Sequence, residues 1–322
     1  MRMLTRLLIG VSLAAAALHA APVAAQYPNK PVRIIVQFPA GGAADTILRV
    51  IAKPLSQALG QPVVVENRPG ADGAIAADAV IKSAADGYTL FMATSSAMSA
   101  VPAMRKLPPY DPVAAFTPIT KVGTFSYFLF THPSVPARSV GELIAYIRAN
   151  PGKVNYAGAT TTGIMAAVEF AGFAGLDMVQ IPYKGEGQAT LDLVGGRVQL
   201  IFATPTNALG PAKEGRLRVL ATLLPQRSPM VPEAPTMAES GAPPLSIVPW
   251  AGFFGPAGLP KEIVARLNRD LTAILALPDV RELIARQAFE VQSSTPEELA
   301  AYTKEQAAVW KKAVRDSGMP LD

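Results

Sequence analysis

The chain has 322 residues, about two domains at roughly 150 residues each, and can bury a sizeable core without a metal or a disulfide. Half of it is apolar and only 16% is charged, while 25 glycines and 30 prolines stay below a low-complexity share, so intrinsic disorder is excluded. With no cysteine and two histidines, thiolate chemistry, disulfides and zinc sites are excluded as well, and a net charge of +5 without a basic run gives no electrostatic footprint for nucleic acid.

Residues 1–25 begin with Arg2 and Arg6, continue in an apolar stretch over 7–18 and end in Val23, Ala24 and Ala25. That is the layout of a cleavable secretory signal peptide. Its apolar stretch falls short of the roughly 20 residues that span a bilayer, so a membrane anchor is the weaker reading. Cleavage near Ala25 leaves an exported, soluble chain from Gln26. Without a cysteine for lipid attachment, that product is expected free in the periplasm of a two-membrane bacterium.

Along the mature chain, β-branched stretches alternate with helix-compatible ones, the pattern of βα units on mostly parallel sheets. A buried strand is expected over 32–38 (VRIIVQF), then a small-residue turn over 39–42 and a helix over 43–59. Further strands are expected over 63–66 and 88–93, a helix over 73–83, and a Pro-rich surface loop over 104–118. The strand at 88–93 delivers Thr94, Ser95 and Ser96 at its C-terminal end. An uninterrupted strand is expected over 125–131.

A second set of units follows. A helix over 139–149 opens with Ser139 and Glu142 at capping-box spacing, and Pro151 and Gly152 stop it. A short strand over 154–157 leads through a turn at 158–163 into a helix ending near residue 173. Strands are expected over 178–182, 199–202 and 217–222, and a helix over 188–194. After a Pro-rich stretch over 225–244 come a strand over 247–255 and helices over 261–276, 278–287 and 296–317. No repeat of 20 to 50 residues is visible.

The turns at 39–43 and 158–163 place small residues where the C-terminal end of a strand meets the N-terminus of a helix. There, unpaired N–H groups and the helix dipole attract an anion. Either turn alone also reads as an ordinary βα loop. QFPAGGAAD lacks the G-x-G-x-x-G spacing and no Gly-Lys-Ser/Thr follows it, so a nucleotide loop is not indicated. No G-x-S-x-G is present, and His132 precedes Pro133 in a loop, so a hydrolase triad has no frame. Asp45, in a first helical turn, reads as a cap or as a ligand contact, and Lys184 as solvated or facing a cleft. Trp250 and Phe253, with Met165 and Phe170, read as core. No cofactor and no metal are called for.

Several stretches carry a resemblance: YPNKPVRIIVQFPAGGAAD (27–45), VVVENRPGADG (63–73), DGYTLFMATSS (86–96), IPYKGEGQATLDLVGGRVQLIF (181–202), GRLRVLAT (215–222), APTMAESG (234–241) and PWAGFFGPAGLP (249–260). In order, and over essentially the whole mature chain, they resemble the extracytoplasmic receptors of tripartite tricarboxylate transporters, the Bug receptor family. The resemblance implies an α/β, two-lobed periplasmic-binding-protein fold of the Venus flytrap kind, type II-like, with two crossing hinge strands. The lobes would be 26–125 with 250–322, and 126–249. It also implies a small organic carboxylate ligand, a monomeric receptor, and membrane partners in the large and small integral subunits of the transporter.

Residue by residue, Phe38, Ala40, Gly41, Gly42 and Asp45 match the family's first ligand loop, with Ala43 opening the helix behind it, and Thr94 and Ser95, followed by Ser96, match the next. The loop of Ala159, Thr160, Thr161, Thr162 and Gly163 corresponds to contacts from the other lobe, and Tyr183, Lys184 and Phe202 to residues near the cleft. The chain departs from the pattern at Thr160 to Thr162, where a Gly-x-Gly-Ser/Thr run is common. Met165 replaces a frequent His, and Ala203 a frequent Asp. A solute-binding receptor is the leading expectation, with a ligand-sensing receptor for signalling, or an α/β enzyme acting on a small carboxylate, as alternatives.

Overall fold

The computed structural model describes residues 27–243, 247–319 and 321. The leader expected over 1–25 lies outside the described residues. β1 (Val32–Val36) leads through residues 37–42 into α1 (Ala43–Leu59), whose Ile47, Leu48, Ile51 and Leu55 recur at helical spacing and are buried. Gly60, in the left-handed conformation, ends that helix. β2 (Val63–Asn67), α2 (Ala74–Ile81) and β3 (Thr89–Thr94) follow. A π-turn at Ser96–Ala100 then runs into the short α3 (Val101–Met104), ahead of the Pro-rich loop expected from residue 104.

β4 (Phe116–Phe125) starts inside the expected loop, and the strand expected over 125–131 is broken. β4 ends at Phe125 and β5 (Phe128–Thr131) begins a different sheet, with Ser126 and Tyr127 as the crossing. The second sheet is then built from β6 (Asn155–Gly158), β7 (Val179–Pro182), β8 (Leu200–Ala203) and β9 (Arg218–Thr222) in the order β7-β6-β8-β5-β9. Its helices are α4 (Val140–Ala149), α5 (Thr161–Ala174), α6 (Glu186–Val194) and α7 (Pro205–Lys213). At α4, Ser139 Oγ accepts from the Glu142 amide as expected, while the Glu142 carboxylate takes the amide of Arg138 rather than that of Ser139.

The chain returns through residues 223–249 to β10 (Trp250–Pro256), then α8 (Lys261–Ala276), α9 (Pro278–Ala285), β11 (Phe289–Val291) and α10 (Pro296–Ser317). β10 enters the first sheet antiparallel between β3 and β4, giving the order β11-β4-β10-β3-β1-β2. Every residue of β3 and β10 is buried, as strands covered by helices on both faces require. One face packs α1 and α8 through Leu48, Leu55, Leu267 and Leu271, and the other packs Phe91 and Trp250 against Leu299 of α10. Gly123 has φ 149°, and a side chain there would strike the carbonyl of Glu290, so glycine is what lets β11 join the edge.

The molecule is a two-lobed α/β protein, one sheet per lobe. The two crossings run side by side: the Phe125 amide donates to Pro249 O at 2.8 Å and the Leu223 amide to Tyr127 O at 2.8 Å. A third contact between lobes is apolar, with Met165 of α5 buried against Ile247 and Trp310 of α10.

Candidate functional site

A cavity of about 430 Å³ lies between the lobes. Its first-lobe wall is the loop from Phe38 to Gly42, the start of α1 at Ala43 and Ala44, and the strand end at Thr94, Ser95 and Ser96. Phe125, Tyr127 and Pro249 of the crossings form its back. The second-lobe wall is Thr160 and Thr162, residues 184–188, and Thr204 with Asn207. The lining is mainly apolar with a few convergent polar groups, the usual make-up of a small-molecule cleft.

Helix starts surround it. The first four amides of a helix have no intrahelical acceptor, and no side chain caps α1 at Gly42, α6 at Gly185 or α7 at Thr204. α5 differs, because Thr160 Oγ1 accepts from the Gly163 amide at 3.1 Å. The turn before α1 is held from behind. Asp45 Oδ2 accepts from the Gly41 amide and from Arg49 Nε, both at 2.9 Å, while Asn67 Nδ2 donates to Asp45 Oδ1 and to Phe38 O, each at 2.9 Å. Burial pushes the Asp45 carboxyl up, but these hydrogen bonds outweigh it and hold its pKa below the ordinary aspartate value.

Eleven of the expected residues line the cavity: Phe38, Ala40 to Ala43, Thr94 to Ser96, Thr160, Thr162 and Lys184. Six lie behind it. Asp45 is the brace just described. Thr161 Oγ1 donates to Ser96 Oγ at 2.7 Å, and Tyr183 donates to Asp192 Oδ2 at 2.9 Å. Ala159 is in the core with Phe128 and Ile201, and the Phe202 ring packs on Phe170 with centroids 5.8 Å apart. Gly163 is a packing residue, since a Cβ there would stand 2.4 Å from the carbonyl of Phe202.

Sequence reasoning missed the most polar part of the wall. Glu186 is 8% exposed, and its carboxyl accepts from the Thr204 amide at 3.1 Å and from the Thr204 hydroxyl. Burial pushes its pKa up to about 7, against the lowering effect of hydrogen bonds from Thr204 and the Tyr127 hydroxyl. Tyr127, itself buried and pushed well above the ordinary tyrosine value by burial and the neighbouring Glu186, is hydrogen-bonded to Thr160 Oγ1 at 3.0 Å. Asn207 Nδ2 is buried with no hydrogen-bond partner among the described residues. The one signal in the sequence was the run Lys184-Gly185-Glu186-Gly187, where flanking glycines bring a backbone close to a neighbour. A Cβ on Gly185 would lie 3.2 Å from the Pro39 ring of the other lobe.

The model of the tripartite tricarboxylate transporter family receptors matches residues 47–319 of the chain. The chain is 38% identical to Protein BugT of Bordetella pertussis, with 99% of each sequence covered. It is 32% identical to the solved periplasmic binding protein BugD, with a TM-score of 0.86 over 91% of this chain and 99% of that one. A solved protein of R. palustris with adipate gives the same TM-score at 31% identity, over 91% and 98% of the two chains.

Proposed function

The chain belongs to the tripartite tricarboxylate transporter receptor family, the Bug receptors, and we propose that it is a periplasmic receptor that captures a small carboxylate between its lobes and delivers it to the large and small membrane subunits of such a transporter. Lobe 1 is then 26–125 with 250–322 and lobe 2 is 126–249, and the paired crossings at 125–127 and 249 are the hinge. The observation that carries this reading is the cavity between the lobes, bounded by helix starts that no side chain caps. Such amides hold an anion without a full positive charge. The adipate bound by the R. palustris relative supports a carboxylate as ligand.

The ligand contacts in this reading are the amides at the start of α1 and the hydroxyls of Thr94, Ser95, Ser96, Thr160 and Thr162. The only basic lining residue among those described is Lys184, which is exposed, so no guanidinium clamp is required. Release to a transporter suits this arrangement, because moderate hydrogen bonds spread over two lobes are lost together when the cleft opens.

A thermal-shift screen of small organic acids tests the proposal. Ligand at 100 times its Kd adds about 2.7 kcal/mol to stability, a rise of several degrees in Tm. Gly42→Val abolishes that rise: the backbone there has φ −77° and ψ 167°, which valine accepts, so the side chain fills the cavity at a capping cost of about 1 kcal/mol. Lys184→Ala reduces it only modestly. No shift with any acid refutes the carboxylate reading, and loss of response in Lys184→Ala but not Gly42→Val relocates the grip.

A further inference from the structure

Resting on the carboxylate reading, we infer that Glu186 makes this cleft select a monocarboxylate whose other end carries an ammonium group, and reject dicarboxylates, because its own carboxyl occupies the place in the second-lobe wall that a second ligand carboxylate would take. The geometry is specific. Glu186 begins α6, yet its side chain turns to the start of α7, where the Thr204 amide and hydroxyl both donate to it. An internal carboxyl therefore already occupies the start of α7, which its own N-cap side chain leaves free. The start of α1, on the opposite wall, has no acidic side chain lining the cavity beside it.

Charge then decides what the second-lobe wall accepts. Glu186 is the only acid lining the cavity among the described residues, and no basic side chain is ion-paired with it there. Lys184 is exposed and does not contribute to its ionisation. A second carboxylate from a ligand would face a like charge at short range inside the cavity. An ammonium would instead complete a charge-assisted hydrogen bond with a carboxylate that keeps unused acceptor positions.

The same arrangement makes the selection depend on pH. Tyr127 from the crossing and Thr204 from the α7 wall hydrogen-bond to Glu186, and Lys184 is the other charged side chain lining the cavity among the described residues. Asp45 is turned to Gly41, Arg49 and Asn67 behind the loop. Of these, Glu186 is the group whose proton leaves near neutrality, since burial pushes its carboxyl up to about 7. Rising pH strengthens the grip on an ammonium and weakens any hold on a second carboxylate.

Calorimetry on the mature chain tests this with acids of matched length: γ-aminobutyrate against succinate, δ-aminovalerate against glutarate, and ε-aminocaproate against adipate. At about pH 8 the best amino acid binds at least tenfold tighter than its matched dicarboxylate. That preference shrinks at about pH 6 and is lost in Glu186→Gln, which keeps the shape and the acceptor oxygen. A dicarboxylate bound as tightly as its partner at pH 8, or a preference that Glu186→Gln leaves intact, overturns the inference while the carboxylate reading stands. Failure of all six acids to bind overturns the inference, and failure of the whole screen of organic acids overturns the carboxylate reading as well.

Discussion

The Thr161 hydroxyl donates to Ser96 Oγ at 2.7 Å, tying the first residue of α5 in one lobe to the end of β3 in the other. Both side chains are buried. With Gly185 against Pro39, the lobes touch on both sides of the cavity, and the proposed opening of the cleft would break this contact.

Thr161→Val keeps the shape and removes the donor. A hydrogen bond of this kind contributes about 1 kcal/mol net, so ligand binding weakens about fivefold to tenfold. X-ray scattering of the unliganded variant shows a larger radius of gyration than the parent, and Thr161→Ser restores both quantities. An unchanged affinity shows that the bond does not report closure.

Gly163→Ala separates packing from binding. The new methyl would stand 2.4 Å from the Phe202 carbonyl, a backbone atom that cannot step aside alone. Overpacking of this sort costs about 1–3 kcal/mol and lowers Tm by several degrees in a chain of this size. Denaturant unfolding shows the loss, while the ligand-induced shift of the folded fraction is retained.

Asp45→Ala unties the loop before α1. It leaves the Gly41 amide without its acceptor and takes one of two acceptors from Asn67 Nδ2, at a cost of about 1–3 kcal/mol. The depressed carboxyl contributes stability that is present at neutral pH and lost as pH falls through its lowered pKa. The acid limb of a Tm-against-pH curve is therefore shallower in Asp45→Ala than in the parent, and carboxylate binding is weaker because the loop is no longer held.

Glu186 acts in the opposite direction on stability. Between the ordinary value of 4.5 and about 7 the folded chain keeps a proton that the unfolded chain has released. Stability falls as pH rises through that window, by roughly 3 kcal/mol for this buried group, and levels off above it. Glu186→Gln removes this slope, so the variant is more stable than the parent at about pH 8 and no more stable at about pH 4. Thermal melts across that range check it.

Much of the first βα unit was legible because its code is local: a β-branched run, two glycines, then apolar residues at helical spacing over 43–59. α7 was not, because Pro205, Gly210 and Pro211 look like breakers; Pro205 is at the first helical position, where it is tolerated, and Pro211 falls in the last turn. Tyr127 was hidden inside an apolar stretch that reads as one strand; the resemblance put a lobe boundary at 125, but that Tyr127 forms the back of the cavity appears only where the two sheets part. Around Glu186 the flanking glycines hint at a close backbone neighbour but not at burial of its carboxyl. A glutamate beside glycines reads as solvated, and its enclosure depends on Thr204, 18 residues away, and on Tyr127 from the crossing.

Because β10 is wedged between β3 and β4, all strands of the second sheet are made between two neighbours of the first. The larger sheet stays in two unjoined pieces until residue 250 has emerged, whereas the smaller one is complete by residue 222. During synthesis the inserted lobe can therefore form while its host waits. The β3–β10 pairing bridges more than 150 residues of chain, as Thr94 and Ala251 are partners, and contacts of such separation slow folding. The chain thus stays unfinished longest in the lobe that carries β1, the first strand among the described residues.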